Sequence, residues 1–249
     1  MTETLLQIEN LTKRFGGVLA NDDISFHVAK GELVSVIGPN GAGKSTLFRI
    51  ICGVKPTRHS AGPDTGRVIF DGRDITGWPA HRVCHAGLAL VFQETESLKD
   101  MTALESIAIG ALVRCDSFND ALALAAGILR QVGLHHRSAH LVSDLTLVER
   151  RRLEIGRALA TRPKLLLLDE TMAGLTPSEV NDAVDLVREI AAEGVTVMLI
   201  EHVLQAVMAV SDRIVVLDGG SVIANGPPAE VVENPKVIQA YLGGEVDLA

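Results

Sequence analysis

The residues able to do chemistry stand in two short runs. Positions 38–45 hold Gly38, Pro39, Asn40, Gly41, Ala42, Gly43, Lys44 and Ser45, with Thr46 next, and positions 165–170 hold four leucines, Asp169 and Glu170. The first run has the spacing G-x-x-x-x-G-K-[ST]. Glycines there let backbone amides turn inward around phosphate oxygens with no Cβ in the way, and a helix that starts at the loop adds its positive end. In such a loop Lys44 reaches the β and γ phosphates, and the Ser45 hydroxyl is placed to ligate Mg²⁺. The same glycines could make a plain turn, but a strand-like run at 33–37 before them and a helix-like run from Thr46 after them favour nucleotide binding. In the second run Asp169 is the expected Mg²⁺-shell carboxylate and Glu170 the group that polarises an attacking water. Alone, that run could instead be a core strand that simply ends in solvent; the glycine loop gives it meaning.

The elements that position these runs are short strands and one well-marked crossover. β-branched runs at 5–8, 24–28, 33–37 and 68–70, each bounded by Gly, Asn or Asp, predict strands. The leucine run at 165–168 predicts a strand buried on both faces of a parallel sheet. Thr176, Pro177 and Glu179 predict a helix start, with Val180, Ala183, Val184, Val187 and Ile190 as its apolar face, and residues 195–200 predict the next strand. A hairpin is expected around Asp218-Gly219-Gly220-Ser221 and a short helix after Pro227-Pro228. Residues 94–145 are helical in character, with Ile107, Ala111, Leu122, Ala126 and Leu129 near helical spacing, so an inserted helical subdomain is expected between core segments 1–93 and 146–249.

The 249 residues carry 47% apolar side chains and a net charge of −8, enough for one large core and no general attraction to nucleic acid or anionic lipid. Arg150, Arg151 and Arg152 read as a solvated helix face. Cys52, Cys84 and Cys115 lack metal-ligand or disulfide spacing and read as packing residues in a reducing compartment. The first residues show no secretory signal, and charges interrupt every apolar stretch before it reaches membrane-spanning length.

With these pieces in order the chain resembles the nucleotide-binding subunit of an ABC transporter, over nearly its whole length. The ordered markers are the loop at 38–46, Phe92-Gln93, a signature segment before 151–159, the leucine-Asp-Glu run, residues 173–177 and Glu201-His202. The resemblance implies an α/β P-loop NTPase of ABC type. Its mostly parallel core sheet is flanked by helices, with an N-terminal antiparallel β part and the helical insert. It implies ATP and Mg²⁺ as ligands. By the same analogy Gln93 senses Mg²⁺ and the attacking water, His202 contacts the γ phosphate and orients Glu170, and Phe15 stacks on adenine where tyrosine is more usual. Residues 71–82, 101–107, 172–177 and 234–245 look most like subunits of branched-chain amino-acid importers and their amide and urea relatives. Permease subunits, a second ATPase subunit and, indirectly, an extracytoplasmic solute-binding protein are the implied partners, with no nucleic acid. The implied location is peripheral, on the cytoplasmic side of the cell membrane. A soluble ABC-type ATPase outside transport, and a regulatory nucleotide-binding module, are the competing readings.

The signature segment departs from the family. Where L-S-G-G-Q is common, this chain has Leu145, Thr146, Leu147, Val148 and Glu149. Thr146 and Glu149 form a capping-box pattern, so a helix N-terminus facing the partner's nucleotide is still expected, but Leu147 and Val148 bring side chains where backbone would touch the γ phosphate. Two readings stay open: an impaired signature that weakens the partner's site, or a tolerated variant. Thr171, where proline is usual after Asp-Glu, is a second departure.

Overall fold

The computed structural model describes residues 3–54, 62–92 and 98–242. Thr4–Phe15 (β1) and Val18–Ala29 (β2) alternate buried and open positions and pair antiparallel. After Leu33–Ile37 (β3), Thr65–Phe70 (β4) adds to β1 and Arg73–Asp74 (β5) to β4, giving a four-stranded antiparallel sheet in the order β2-β1-β4-β5. β1 and β2 run well beyond the apolar stretches at 5–8 and 24–28. The extra length is polar and irregular: the register shifts, Asn10 and Asp23 adopt positive φ, and the Asn10 side-chain amide donates to Asp23 at 2.8 Å. Side-chain hydrogen bonds carry the ladder through bulges that alternation cannot reveal.

The second sheet has the order β10-β9-β3-β8-β7-β6, from Leu88–Val91 (β6), Leu165–Asp169 (β7), Thr196–Ile200 (β8), Arg213–Asp218 (β9) and Ser221–Gly226 (β10). All pairings are parallel except β9 with β10. Every residue of β3, β7 and β8 is buried, which is why these strands read as unbroken apolar runs. The β9–β10 turn uses Gly219 and Gly220, both at positive φ, as a two-residue hairpin requires. The chain leaves β3, β7 and β8 at one edge of this sheet, so the glycine loop, Asp169-Glu170 and Glu201-His202 emerge side by side.

Helices Lys44–Ile51 (α1) and Ala80–Ala86 (α2) follow β3 and β5; α2 had no clear sequence signal, being short and burying only Val83. Ala103–Ala111 (α3), Phe118–Gln131 (α4) and Leu147–Ala160 (α5) pack together, α3 and α4 capped by Thr102 and Ser117. The buried face of α4 is Ala121, Ala125 and Leu129, not Leu122 and Ala126, which lie half-buried at the rim. The small alanines face the neighbouring helices, and the larger Leu122 is left at the edge. Pro177–Ala192 (α6) shows the expected capping box and apolar face. Leu204–Val210 (α7), Pro228–Val232 (α8) and Pro235–Leu242 (α9) complete the chain described.

The arginines at 150–152 are not a solvated face. Arg150 donates to the Leu145 carbonyl at 2.6 Å, Arg151 to Glu154 at 3.3 Å and Arg152 to the Val132 carbonyl at 3.4 Å, all three half-buried. Arg150 and Arg152 satisfy carbonyls at helix ends and Arg151 pairs with a carboxylate one turn on, while the aliphatic stems cover apolar surface.

Candidate active site

Steric demand explains the glycines of the loop. A Cβ on Gly43 (φ +97°) would lie 2.2 Å from the Ala20 carbonyl oxygen, and one on Gly38 (φ +149°) 2.0 Å from that of Leu217. The loop is therefore threaded between β2 and the end of β9, with no room for side chains at either point. Gly43 is also the N-cap of α1 and supplies no side-chain acceptor, so the first amides of α1 are free of the usual cap. Asn40 and Gly41 are exposed at the tip, Pro39 is half-buried, Ala42 packs inward, and Ser45 and Thr46 open the helix.

Lys44 is only 5% exposed, and its ammonium donates to the carbonyls of Gly38 at 2.8 Å and Pro39 at 3.0 Å. Burial pulls its pKa down, while the charges of Glu170 and Asp169 pull it back up. The Ser45 hydroxyl donates to Asp169 at 3.2 Å. Burial pushes the Asp169 carboxyl up; the Ser45 hydrogen bond opposes this, and the neighbouring Glu170 charge adds to it. A hydroxyl and a buried carboxylate held together beside a second carboxylate form an oxygen donor set suited to a hard divalent cation, and Mg²⁺ fits it.

Glu170 sits at φ +52°, an uncommon conformation for a side chain of its size, with its amide donating to the Ile200 carbonyl at 2.9 Å. Its carboxylate meets His202 Nε2 at 2.5 Å. His202 is 44% exposed, so this pair lies at the rim of the site. Phe15 stands half-buried at the end of β1, paired with Val18 near the Ala20 and Asn21 that contact Gly43, and Lys13 Nζ lies 5.6 Å from its ring centroid. Gln93 lies outside the described residues.

The structure adds a residue that sequence reasoning missed. Asn21 is fully buried in β2; its amide donates to the Gly43 carbonyl at 3.2 Å, and its Oδ1 has no hydrogen-bond partner among the described residues. A polar side chain at a core-facing strand position was the available signal.

The signature segment folds as a closed cap. Thr146 accepts from the Glu149 amide at 3.3 Å, and Glu149 accepts from the Thr146 amide at 2.9 Å. Glu149 also pairs with Arg137 at 2.7 Å. Burial opposes ionisation of Glu149, but the Thr146 amide and Arg137 outweigh it and hold its pKa below the usual carboxylate range. Val148 turns inward and lines a small cavity with Met172, Leu175 and Val187. Leu147 is 40% exposed, and one of its methyls is the nearest atom to where a Gly174 Cβ would stand. Of the two bulky residues, Leu147 is the more exposed and Val148 is half-buried.

The sequence matches the ABC transporter family over residues 21–173. This chain belongs to that family. A second match, to the branched-chain amino acid ATP-binding cassette transporter group, covers residues 221–247. The high-affinity branched-chain amino acid transport ATP-binding protein BraF of Pseudomonas aeruginosa is 37% identical over 98% of this chain and 99% of its own length. LivG of Salmonella typhimurium, named for the same transport, is 36% identical with the same coverage. A crystal structure of an ABC transporter cassette in its ADP conformation superposes with a TM-score of 0.86 at 34% identity, covering 97% of this chain and all of that one. The chain is thus an ABC ATP-binding subunit homologous to the ATPases of branched-chain amino-acid importers, as its α/β architecture and ordered motifs led one to expect. Among the described residues of this ABC subunit, no helix is long and apolar enough to cross a membrane.

Proposed function

We propose that this subunit hydrolyses ATP in a Mg²⁺-dependent cycle that drives import of branched-chain amino acids, or a related small polar solute, through permease subunits on other chains. The observation that carries hydrolysis is the convergence of Lys44, Ser45, Asp169, Glu170 and His202 at one sheet edge. The solute class is supported by the C-terminal match and by the names of the relatives.

Residues 38–46 cradle the phosphates, and Lys44 exchanges its two carbonyl contacts for β and γ oxygens. Ser45 and Asp169, with Gln93, hold Mg²⁺, which when bound neutralises charge on the phosphates. Glu170 accepts a proton from the attacking water, and His202 holds that carboxylate in place and reaches the γ phosphate. Phe15 offers its ring face to adenine. A second ATPase subunit, identical or different, presents its signature to this loop, while Thr146, Leu147, Val148 and Glu149 face the partner's nucleotide. The subunit sits on the cytoplasmic face of the membrane, held there by the permeases, with a solute-binding protein on the far side. Residues 1–93 and 146–249 form the ATP-binding core and 94–145 the helical part that transmits the stroke.

The test is ATP-driven uptake of labelled leucine, isoleucine and valine by the assembled transporter. Lys44→Ala and Glu170→Gln are each expected to abolish it; unchanged uptake in either variant would sink this reading.

A further inference from the structure

Thr171 and Glu201 have no task in the mechanism above, yet both are buried immediately behind it. Glu201 is 3% exposed and Thr171 4%. The Glu201 carboxylate accepts from the Met172 amide at 2.9 Å and lies 3.5 Å from the Thr171 hydroxyl. Because Glu201 directly precedes His202, this carboxylate ties the turn that follows Glu170 to the strand end that carries His202. A third tie, Glu170 amide to Ile200 carbonyl, holds the same two segments at their base.

These ties matter because Glu170 stands at positive φ. Such a conformation is strained and persists only where its surroundings hold it. A buried carboxylate is itself costly to keep, so its place in a dry pocket needs a return. The return visible here is geometric: it fixes the Met172 amide, just after Glu170, against the residue that directly precedes His202.

We infer that Glu201 is a positioning residue for ATP hydrolysis, clamping the Glu170 and His202 turns in register, with Thr171 as a supporting hydroxyl. This rests on the reading of Glu170 as the group that takes the water proton. Displacement of a catalytic group by about an ångström costs up to roughly a hundredfold in rate, so loss of the clamp acts on kcat and spares ATP binding, which is made by the loop at 38–46.

The experiment compares Glu201→Leu, Glu201→Asp and Glu201→Gln, with Glu170→Gln beside them. The readouts are steady-state ATP hydrolysis by the assembled transporter and amide hydrogen exchange at Met172 in the isolated chain. Glu201→Leu is expected to lower kcat by about ten- to a hundredfold with KM for ATP within about twofold, and to lose protection at Met172. Glu201→Gln keeps an oxygen acceptor of the same reach, so it should retain that protection and most of kcat. Glu201→Asp keeps the charge but withdraws the oxygens by one methylene, and should fall towards the leucine variant; it decides the matter if Glu201→Leu does not fold. Full kcat in Glu201→Leu or Glu201→Asp, with Glu170→Gln inactive, overturns the clamp and leaves the role of Glu170 standing. An active Glu170→Gln overturns the role of Glu170 instead. Equal losses in the glutamine and leucine variants, with Met172 still protected in the former, also overturn the clamp, because charge and not hydrogen-bond geometry would then be what matters.

Discussion

The two helix N-termini to which the proposed function gives phosphate contacts are built in opposite ways. α1 begins at Gly43, in left-handed backbone with no side-chain cap and no acidic residue in its first turn. α5 begins at Thr146, in extended backbone, with Thr146 and Glu149 satisfying each other's amides. The first leaves its donors for a ligand and fills the space beside them with a lysine. The second satisfies part of its own donor set and adds a carboxylate, which Arg137 neutralises. An N-terminus that must envelop phosphate does without a cap, whereas one that only has to approach a nucleotide across an interface can keep its cap and the stability that comes with it.

The harshest way to break this contrast is Gly43→Ala. Its Cβ would sit 2.2 Å from backbone and demand a positive φ from alanine, so the loop cannot close. Nucleotide affinity is expected to fall by about a hundredfold or more, with roughly 2 kcal/mol or more of folding stability lost, measured by ATP titration and by urea denaturation. The matching change at the other N-terminus, Thr146→Ala, removes one cap and should cost about 1 kcal/mol in the same denaturation while leaving ATP affinity of this chain's own loop within about twofold. Comparable loss of ATP affinity in both variants would erase the distinction.

Much of the first N-terminus was legible in the sequence. The loop, the fully buried strands β3 and β7, the α6 capping box and the hairpin turn all depend on local patterns that a residue string displays directly. The second N-terminus was legible only in part. Thr146 and Glu149 announced the cap, but nothing local showed that Arg137 would pair with Glu149 or that Val148 would turn towards Met172, since both contacts arise from tertiary packing. The long polar halves of β1 and β2, the one-residue offset in α4 and the anchoring of Arg152 on Val132 escaped for the same reason. Each is decided by a partner distant in sequence or by bulges that break alternation. Glu201 stood in view beside His202, but its burial behind Met172 did not.

The glycine-free signature offers a finer test. In a Glu170→Gln background, in which hydrolysis is expected to be blocked, ATP-driven dimerisation reports how well α5 faces its partner. Because Val148 points inward, Leu147→Gly alone should restore whatever approach the side chain obstructs. We expect dimerisation to change by less than about threefold, in keeping with a tolerated variant; freeing a phosphate donor that the side chain obstructs would instead be worth on the order of a hundredfold. A rise approaching that size would mean that the signature is impaired and that the working transporter is asymmetric. Val148→Gly should instead cost about 1–2 kcal/mol of stability through lost packing.

The smallest effect expected comes from acid, and it runs in opposite directions at the two sites. Glu149 has a folded pKa below its unfolded value, so the stability it contributes is present above the unfolded value of about 4.5 and is lost as pH falls through the lowered one. Asp169 has a folded pKa above its unfolded value of 3.8, so in the nucleotide-free protein its ionisation opposes folding at neutral pH, and acidification through the raised value relieves that cost. At pH 7, Glu149→Gln should therefore be less stable than the parent and Asp169→Asn more stable. The Asp169 difference should shrink as the pH falls through its raised value towards 3.8, and the Glu149 difference as the pH falls from about 4.5 through its lowered value. Urea midpoints across pH 3 to 8 read this directly, and Asp169→Asn less stable than the parent at pH 7 would show that the carboxylate next to Ser45 is held by its contacts and not kept there for a cation.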